Sequence, residues 1–378
     1  MQSQKNRLFI AAAGAGKTTF IVKESAARKD KKILITTFTE QNEVEIRNKF
    51  RQLYKKVPEH ITIQTWFSFL LEHGVRPYQS FLFDRRVEGM KLVAKQSAIW
   101  FTNKDGVDIH FPESNIEKHY FNEDADIYSD KIAKFAYQIN RLSKGVVLSR
   151  LERIYDSIYI DEVQDLSGYD LELVKIIANS TISLTLVGDP RQVTYHTHWE
   201  RKNKKYLQGK IKEYIEDKCK KQFLIDLEYL QNSYRNNASI CLLANQLFPA
   251  YSPSTSISEH ETTDHEGIFG VREKDVDAYL SRYYPAQLRY SRKRTVNELF
   301  SPIYTFGEAK GKTFNRVLIY PTTAMLKWLK NRDTNLEFTM RCKTYVAITR
   351  AIHSVAFVIP DNESIDAHDV RLLKFSEG

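Results

Sequence analysis

The stretch that most constrains this chain is Ala11-Ala12-Ala13-Gly14-Ala15-Gly16-Lys17-Thr18-Thr19. The apolar run Leu8-Phe9-Ile10 leads into it and reads as a buried parallel strand. Phe20-Ile21-Val22-Lys23-Glu24 follows and reads as the opening of a helix. Strand, small-residue loop and helix in that order form a phosphate cradle. Gly14 and Gly16 let backbone amides close around an anion with no side chain in the way. The helix start adds unpaired N–H groups and the positive end of its dipole. Lys17 would place its ammonium against the outer phosphates, and Thr18 would offer a hydroxyl to Mg²⁺. The usual pattern is G-x-x-x-x-G-K-[ST], and here Ala11 stands in the first slot. A plain Gly/Ala turn before a helix is the alternative, and it explains neither the lysine nor the hydroxyls.

At 378 residues the chain is too long for one ordinary core, which implies two or three domains. Hydrophobic content of 42% with 12% aromatics fits a folded globular protein. A formal net charge of +9 points to a polyanionic partner. Cys219, Cys241 and Cys342 are far apart and form no C-x-x-C pair, against a disulfide framework, a zinc ribbon or an iron–sulfur cluster. A reducing, cytoplasmic setting is the expectation. Lys5 and Arg7 before Leu-Phe-Ile-Ala-Ala-Ala imitate a signal peptide, but the apolar run is short and ends in Gly-Lys-Thr-Thr. No stretch is long enough to span a bilayer, so no membrane partner is expected.

Further along, Ile33–Thr39 reads as a strand, followed by a polar amphipathic helix from about Glu40 to Tyr54. His60–Phe67 reads as a third strand running into an aromatic turn. The two strand ends carry Thr39, Thr65 and Trp66, and ligands gather at the carboxyl ends of strands in open α/β sheets. A hydroxyl beside an aromatic face suits a nucleic-acid backbone and a stacked base; the alternative for Trp66, Phe67 and Phe69 is core packing. Residues 76 to about 150 lose the α/β rhythm and read as a mostly helical insertion, with Ile132–Leu148 helical. Regularity returns at Ser157–Asp165, where a buried strand ends in Asp161 and Glu162. Asp161 would hold Mg²⁺ and Glu162 would orient and deprotonate a water. Leu184–Gln192 is a further buried strand whose Gln192 could sense a terminal phosphate. Tyr195 and Trp199 after it could stack on bases. A basic helix is expected from about Arg201 to Lys221, either a solvated face or a track for phosphates. A second α/β series then opens with the strand Phe223–Leu227.

Taken together, these stretches resemble the UvrD/Rep/PcrA-type superfamily 1A DNA helicases. The phosphate loop is followed in order by Thr37-Phe38-Thr39, Thr65-Trp66-Phe67-Ser68-Phe69, Asp161-Glu162-Val163-Gln164-Asp165 and Gly188-Asp189-Pro190-Arg191-Gln192. Ser233-Tyr234-Arg235, Lys310-Gly311 and Val346-Ala347-Ile348-Thr349-Arg350-Ala351 complete the series. The resemblance implies an α/β fold of two RecA-like P-loop NTPase domains with parallel sheets and ATP between them. It places the first domain at residues 1–220, with the insertion at about 76–150, and the second at 221–378. ATP would be held by Ala13, Gly14, Ala15, Gly16, Lys17, Thr18, Thr19, Tyr234 and Gly311, with Tyr234 stacked on adenine. Lys17, Glu162, Gln192, Arg235 and Arg350 would act in hydrolysis, and Thr18 and Asp161 would hold Mg²⁺. DNA would be met by Phe38, Thr39, Thr65, Trp66, Tyr195 and Trp199.

The chain departs from the family pattern in places. Gly307 stands where a His is usual, Thr313 where a ribose-contacting Glu is usual, and Thr197 where a Trp is usual. Between Asn245 and Thr305 there is room only to continue the second core, so the form is compact and lacks the family's large second-domain insertion. The implied function is ATP-dependent translocation on single-stranded DNA, 3′ to 5′, with single-stranded or tailed duplex DNA as partner. A regulatory ATP- and DNA-sensing subunit of a nuclease complex, as in bacterial anti-phage defence, is the second expectation, and an RNA-directed motor the third.

Overall fold

Two parallel sheets carry the chain, and their central strands are the most deeply buried. The computed structural model describes residues 6–194, 202–365 and 369–375. The first sheet contains β1 (Asn6–Ile10), β2 (Ile33–Thr37), β3 (Ile61–Thr65), β4 (Ser157–Ile160), β5 (Ser183–Gly188) and β6 (Phe223–Asp226), in the order β6-β1-β5-β4-β2-β3. β1 pairs with β6, β2 with β3 and with β4, and β4 with β5, all in parallel. Ile33, Leu34 and Ile35 are fully buried, as expected of a strand covered on both faces. The helix Lys17–Ala27 is tied to this sheet by charge: Arg7 on β1 pairs with Glu24, Arg28 pairs with the same carboxylate at 2.6 Å, and Arg7 also donates to Thr185 on β5 at 3.1 Å.

The second sheet contains β7 (Gly267–Arg272), β8 (Ala286–Arg289), β9 (Ile303–Thr305), β10 (Phe314–Tyr320), β11 (Ala351–Ile359) and β12 (Arg371–Leu372). Their order is β9-β8-β10-β11-β7-β12, and every ladder is parallel. Helices Ala238–Leu247, Thr323–Lys330 and Phe338–Ile348 bury Ile240, Leu243, Met325, Trp328 and Tyr345 in one cluster with Val317, Ile319 and Phe357 of the sheet. The opposite face packs Phe269, Val271, Tyr279 and Leu280 against Leu318 and Ala356. Residues 246–305 supply β7, β8, β9 and the helix Val276–Tyr283. Both units are thus mixed α/β folds of RecA-like type with parallel-sheet cores.

The chain divides into two compact units. One gathers the strand residues up to Phe9, then Thr18–Gly188, and then the described stretch ending at Asp226. The other gathers Ile10–Lys17, the stretch from Asp189 and the chain from Leu227 onward.

Three expectations are corrected. The strand at Phe223, read as the opening of the second series, is an edge of the first sheet, in register with β1 from Asn6↔Phe223 to Phe9↔Asp226. The basic stretch after residue 201 is not one helix: it makes a 3₁₀ turn at Lys204–Tyr206 and a helix only at Ile211–Lys218. Gln208 and Gly209 between them have left-handed backbone, at φ 65° and 73°, and no α-helix passes through such residues. The insertion is mixed rather than mostly helical. Ile99–Thr102 and Asp108–His110 form a hairpin around Asp105-Gly106, and Met90–Lys91 pairs with Ile127–Tyr128. Its longer helices lie at the end, Ile132–Leu142 and Val146–Ile154, parted where Lys144 and Gly145 turn left-handed at φ 55° and 94°. Among the described residues no helix is long and apolar enough to cross a membrane.

Phe357 lies in β11 between β7 and β10 and is 1% exposed. Phe357→Ala removes a buried ring from a sheet that cannot close over the gap. It should cost about 3–5 kcal/mol, read as a shift of the second unit's unfolding transition to lower urea.

Candidate nucleotide site

The loop after β1 has a backbone that only glycine adopts at low cost. Gly14 and Gly16 sit at φ 73° and 75°, the left-handed region, which turns successive amides toward one side and makes an anion-binding concavity. The loop is also held from outside. Ala12 N donates to Leu230 O at 2.7 Å, Tyr234 N donates to Gly14 O at 2.9 Å, and Gln231 Nε2 donates to Ile10 O at 2.6 Å. A Cβ added at Gly14 would lie 2.5 Å from Ser233 Oγ and 2.8 Å from Arg235 Cβ, so the Ser233–Arg235 backbone is fitted to this glycine. The exposed Tyr234 ring lies over Gly16 at ordinary van der Waals distance, with Cδ2 3.6 Å from the same kind of added Cβ.

Two arginines of the same unit reach this neighbourhood. Arg350, 2% exposed, donates from Nη2 to Gln192 Oε1 at 3.1 Å and from Nε to Val346 O at 3.1 Å. Gln192 in turn donates from Nε2 to Asp189 Oδ2 at 2.9 Å. Arg235 donates from Nη1 to Thr349 O at 3.2 Å. Asn236 donates to both Thr349 O and Ala351 O, at 3.1 and 2.6 Å, which pins the turn that carries Arg350. Gly311 is exposed at φ 82°, next to Lys312, whose carbonyl accepts from Arg350 Nη1 at 3.4 Å.

In the other unit, β4 delivers two carboxylates. Asp161 is 4% exposed, its N–H donates to Thr36 O at 2.8 Å, and its Oδ1 accepts the Glu162 N–H at 2.9 Å. Glu162 has φ 55°, a left-handed conformation that costs a non-glycine residue about 1–3 kcal/mol. Gln164 Nε2 donates to the Glu162 carboxylate and helps to hold it there. Gly188 is needed beside this turn, since a Cβ there would lie 2.3 Å from Gln164 Oε1. Thr18 and Thr19 are half-buried in the first turn of the helix Lys17–Ala27.

Threonines side by side in register, Thr37↔Thr65, bring the ends of β2 and β3 together. Phe38 is half-buried and meets Phe67 edge-on at 5.1 Å. Thr39 caps the helix Glu40–Tyr54 by accepting from Asn42 N, and Thr65 caps the next turn by accepting from Ser68 N. Trp66 is 1% exposed, and its Nε1 donates to Asp170 Oδ1 at 2.8 Å. This ring packs in the core and has no free face for a base. Tyr195 and Trp199 lie outside the described residues.

The sites fit the groups the sequence implies. Gly14 and Gly16 form a concavity lined by amides and suited to phosphate, and Thr18 and Asp161 offer a hydroxyl and a carboxylate, the hard oxygen donors Mg²⁺ prefers. Among the described residues no group of three or more His, Cys, Asp or Glu side chains is placed to hold a metal by itself. Asn236, Asp189, Arg191 and Tyr345 complete the arrangement and were not singled out in the sequence. A charged residue directly after a buried strand, as in Gly188-Asp189-Pro190-Arg191, was the available signal.

Residues 1–198 match a family model described as an AAA domain. Residues 120–359 match one described as the viral superfamily 1 RNA helicase core domain. A protein named DNA helicase II from Haemophilus influenzae is 22% identical over 315 residues, covering 70% of this chain and 42% of the relative. The RecB subunit of the RecBCD enzyme from Borreliella burgdorferi is 31% identical over 100 residues, 24% of this chain and 9% of the relative. Among solved structures, the arterivirus nonstructural protein 10 helicase aligns with a TM-score of 0.46 at 15% identity, over 94% of this chain and 60% of that one. Its complex with DNA aligns at 0.47 and 14% identity, over 94% and 62%. The chain therefore spans less than two thirds of the length of the proteins it matches.

Gly14→Ala would force a side chain onto left-handed backbone and into Ser233 and Arg235. A loss of about 2–4 kcal/mol is expected, measured as a lower thermal midpoint, with no comparable loss for Gly106→Ala, whose added Cβ meets nothing within 4 Å and whose φ is similarly positive.

Proposed function

Because the chain belongs to the superfamily 1 helicases, we propose that it hydrolyses ATP to move 3′ to 5′ along single-stranded DNA and to open tailed duplexes. The observation that carries this reading is the chain of bonds from Asp189 through Gln192 to Arg350, in the same unit as the loop Ile10–Lys17. Lys17 is assigned to the outer phosphates, and Gln192, Arg235 and Arg350 to the charge that grows on the terminal phosphate. An arginine supplied to such a transfer is worth roughly 10³–10⁵ in rate. Glu162 is assigned to orient the attacking water and take its proton. Mg²⁺, held by Thr18 and Asp161, would neutralise charge on the phosphates when bound. Tyr234, exposed and beside Gly16, is assigned to the adenine face, with Ala13, Ala15, Thr19 and Gly311 lining the nucleotide. Phe38, Thr39 and Thr65 are assigned to the strand.

The name of the 22% identical relative supports DNA. An RNA-directed motor is the second reading, supported by the description of the family model over residues 120–359. Steady-state hydrolysis with oligo-dT, with oligo-U and with neither separates them. Stimulation by oligo-dT above oligo-U is expected, together with displacement of a short 3′-tailed DNA duplex in preference to a 5′-tailed one. Equal turnover in all three mixtures would remove the coupling to a strand, and stimulation by oligo-U alone would move the assignment to RNA.

A further inference from the structure

Arg191 is a long, charged side chain with 2% exposure, held on its nitrogens and over its face. Nε donates to Asp189 Oδ1 at 2.7 Å, and Nη2 donates to Ala11 O in the phosphate loop at 2.8 Å. Tyr345 and Tyr251 place their rings 5.2 and 5.5 Å from the guanidinium carbon. Burial alone would lower its affinity for the proton, but the Asp189 carboxylate and the two tyrosines outweigh it, so the charge is kept.

Tyr345 makes the second link. Its hydroxyl accepts the Ala13 N–H at 3.2 Å, and its carbonyl accepts from Thr349 N at 3.0 Å and Thr349 Oγ1 at 2.8 Å. Burial keeps the hydroxyl protonated, and Asp189 beside it adds to this against the opposing pull of the Arg191 charge. One residue thus touches the phosphate loop with its side chain and fixes, with its backbone, the turn from which Arg350 projects. Asp189 closes the circuit. Its Oδ1 serves Arg191 and its Oδ2 takes Gln192 Nε2, which leaves Gln192 Oε1 turned toward Arg350.

We propose that Arg191 and Tyr345 are positioning residues that hold Gln192 and Arg350 in register with the backbone of the phosphate loop. Neither is assigned to the nucleotide. Both clamp loop groups, Ala11 O and Ala13 N, and pass the loop's position to Arg350, Arg191 through Asp189 and Gln192, and Tyr345 through the helix end at Thr349. The inference rests on the ATP-hydrolysing reading above.

The test is Tyr345→Phe in the full chain, which keeps the ring beside Arg191 and removes the oxygen that accepts from Ala13 and meets the Asp189 carboxylate. The expected effect is a fall in kcat of about tenfold, as for one hydrogen bond made in the transition state, with KM for ATP changed by less than about threefold. In an Arg350→Ala background the same substitution should cost nothing further, because its effect passes through that arginine. Arg191→Lys, which keeps the charge and loses the fork, should behave alike, and it supplies the comparison if Tyr345→Phe fails to fold by circular dichroism. A wild-type kcat in both single variants would overturn the proposal. So would losses that multiply with that of Arg350→Ala, the mark of a general structural defect. Absence of turnover in the wild-type chain would instead remove the underlying reading, and this inference with it.

Discussion

Gln192, Arg350 and the backbone of the phosphate loop all depend on one buried ion pair. Asp189 and Arg191 stand at the end of a strand buried from Leu184 to Gly188, where an unpaired charge would cost several kcal/mol. Each partner spends its remaining capacity on something else. Arg191 takes the carbonyl of Ala11, and Asp189 takes the amide of Gln192. The pair therefore sets the loop and the glutamine at once, and a glutamine whose amide is already oriented gives Arg350 a fixed acceptor. Removing either charge would strand the other in the core.

The acidic turn after β4 shows the same economy in the first unit. A strand that is wholly buried must release its polar end at the carboxyl end of the sheet, and here the first residue out, Asp161, turns back to accept the amide of the second. That bond and Gln164 hold Glu162 in left-handed backbone, which points a carboxylate away from the strand axis. Strain of this kind persists only where the surroundings over-determine it. Gly188, with no side chain to push against Gln164, is part of those surroundings.

Much of this could be read from the residues because the relevant signals are local. The run Leu8-Phe9-Ile10 before the glycines is a strand, the helix Glu40–Tyr54 has the bounds its pattern implies, and Ser157–Ile160 ends in its two acids as read. Thr39 caps its helix as its hydroxyl allows. What escaped the sequence is long-range. Phe223–Asp226 looks like any short apolar strand, and only its pairing with β1 places it in the first sheet. Trp66 looks like a surface aromatic at a strand end until Asp170, more than a hundred residues on, takes its indole N–H. The stretch after residue 201, dense in Lys and Arg, reads as one helix, yet two consecutive left-handed residues, Gln208 and Gly209, interrupt it. Arg191 gave no sign of being buried, because its partners Ala11, Tyr251 and Tyr345 come from three distant parts of the chain.

The loop Ile10–Lys17 is assigned to take the phosphates of a nucleotide, and Lys17 to supply the charge that holds them. Isothermal titration of a non-hydrolysable ATP analogue with Mg²⁺ into the full chain tests this assignment most directly. One saturable site is expected in the wild-type chain, with affinity lost by at least about tenfold in Lys17→Ala, the loss of one charge-assisted contact. Equal affinity in the two proteins, or no binding to either, would contradict it.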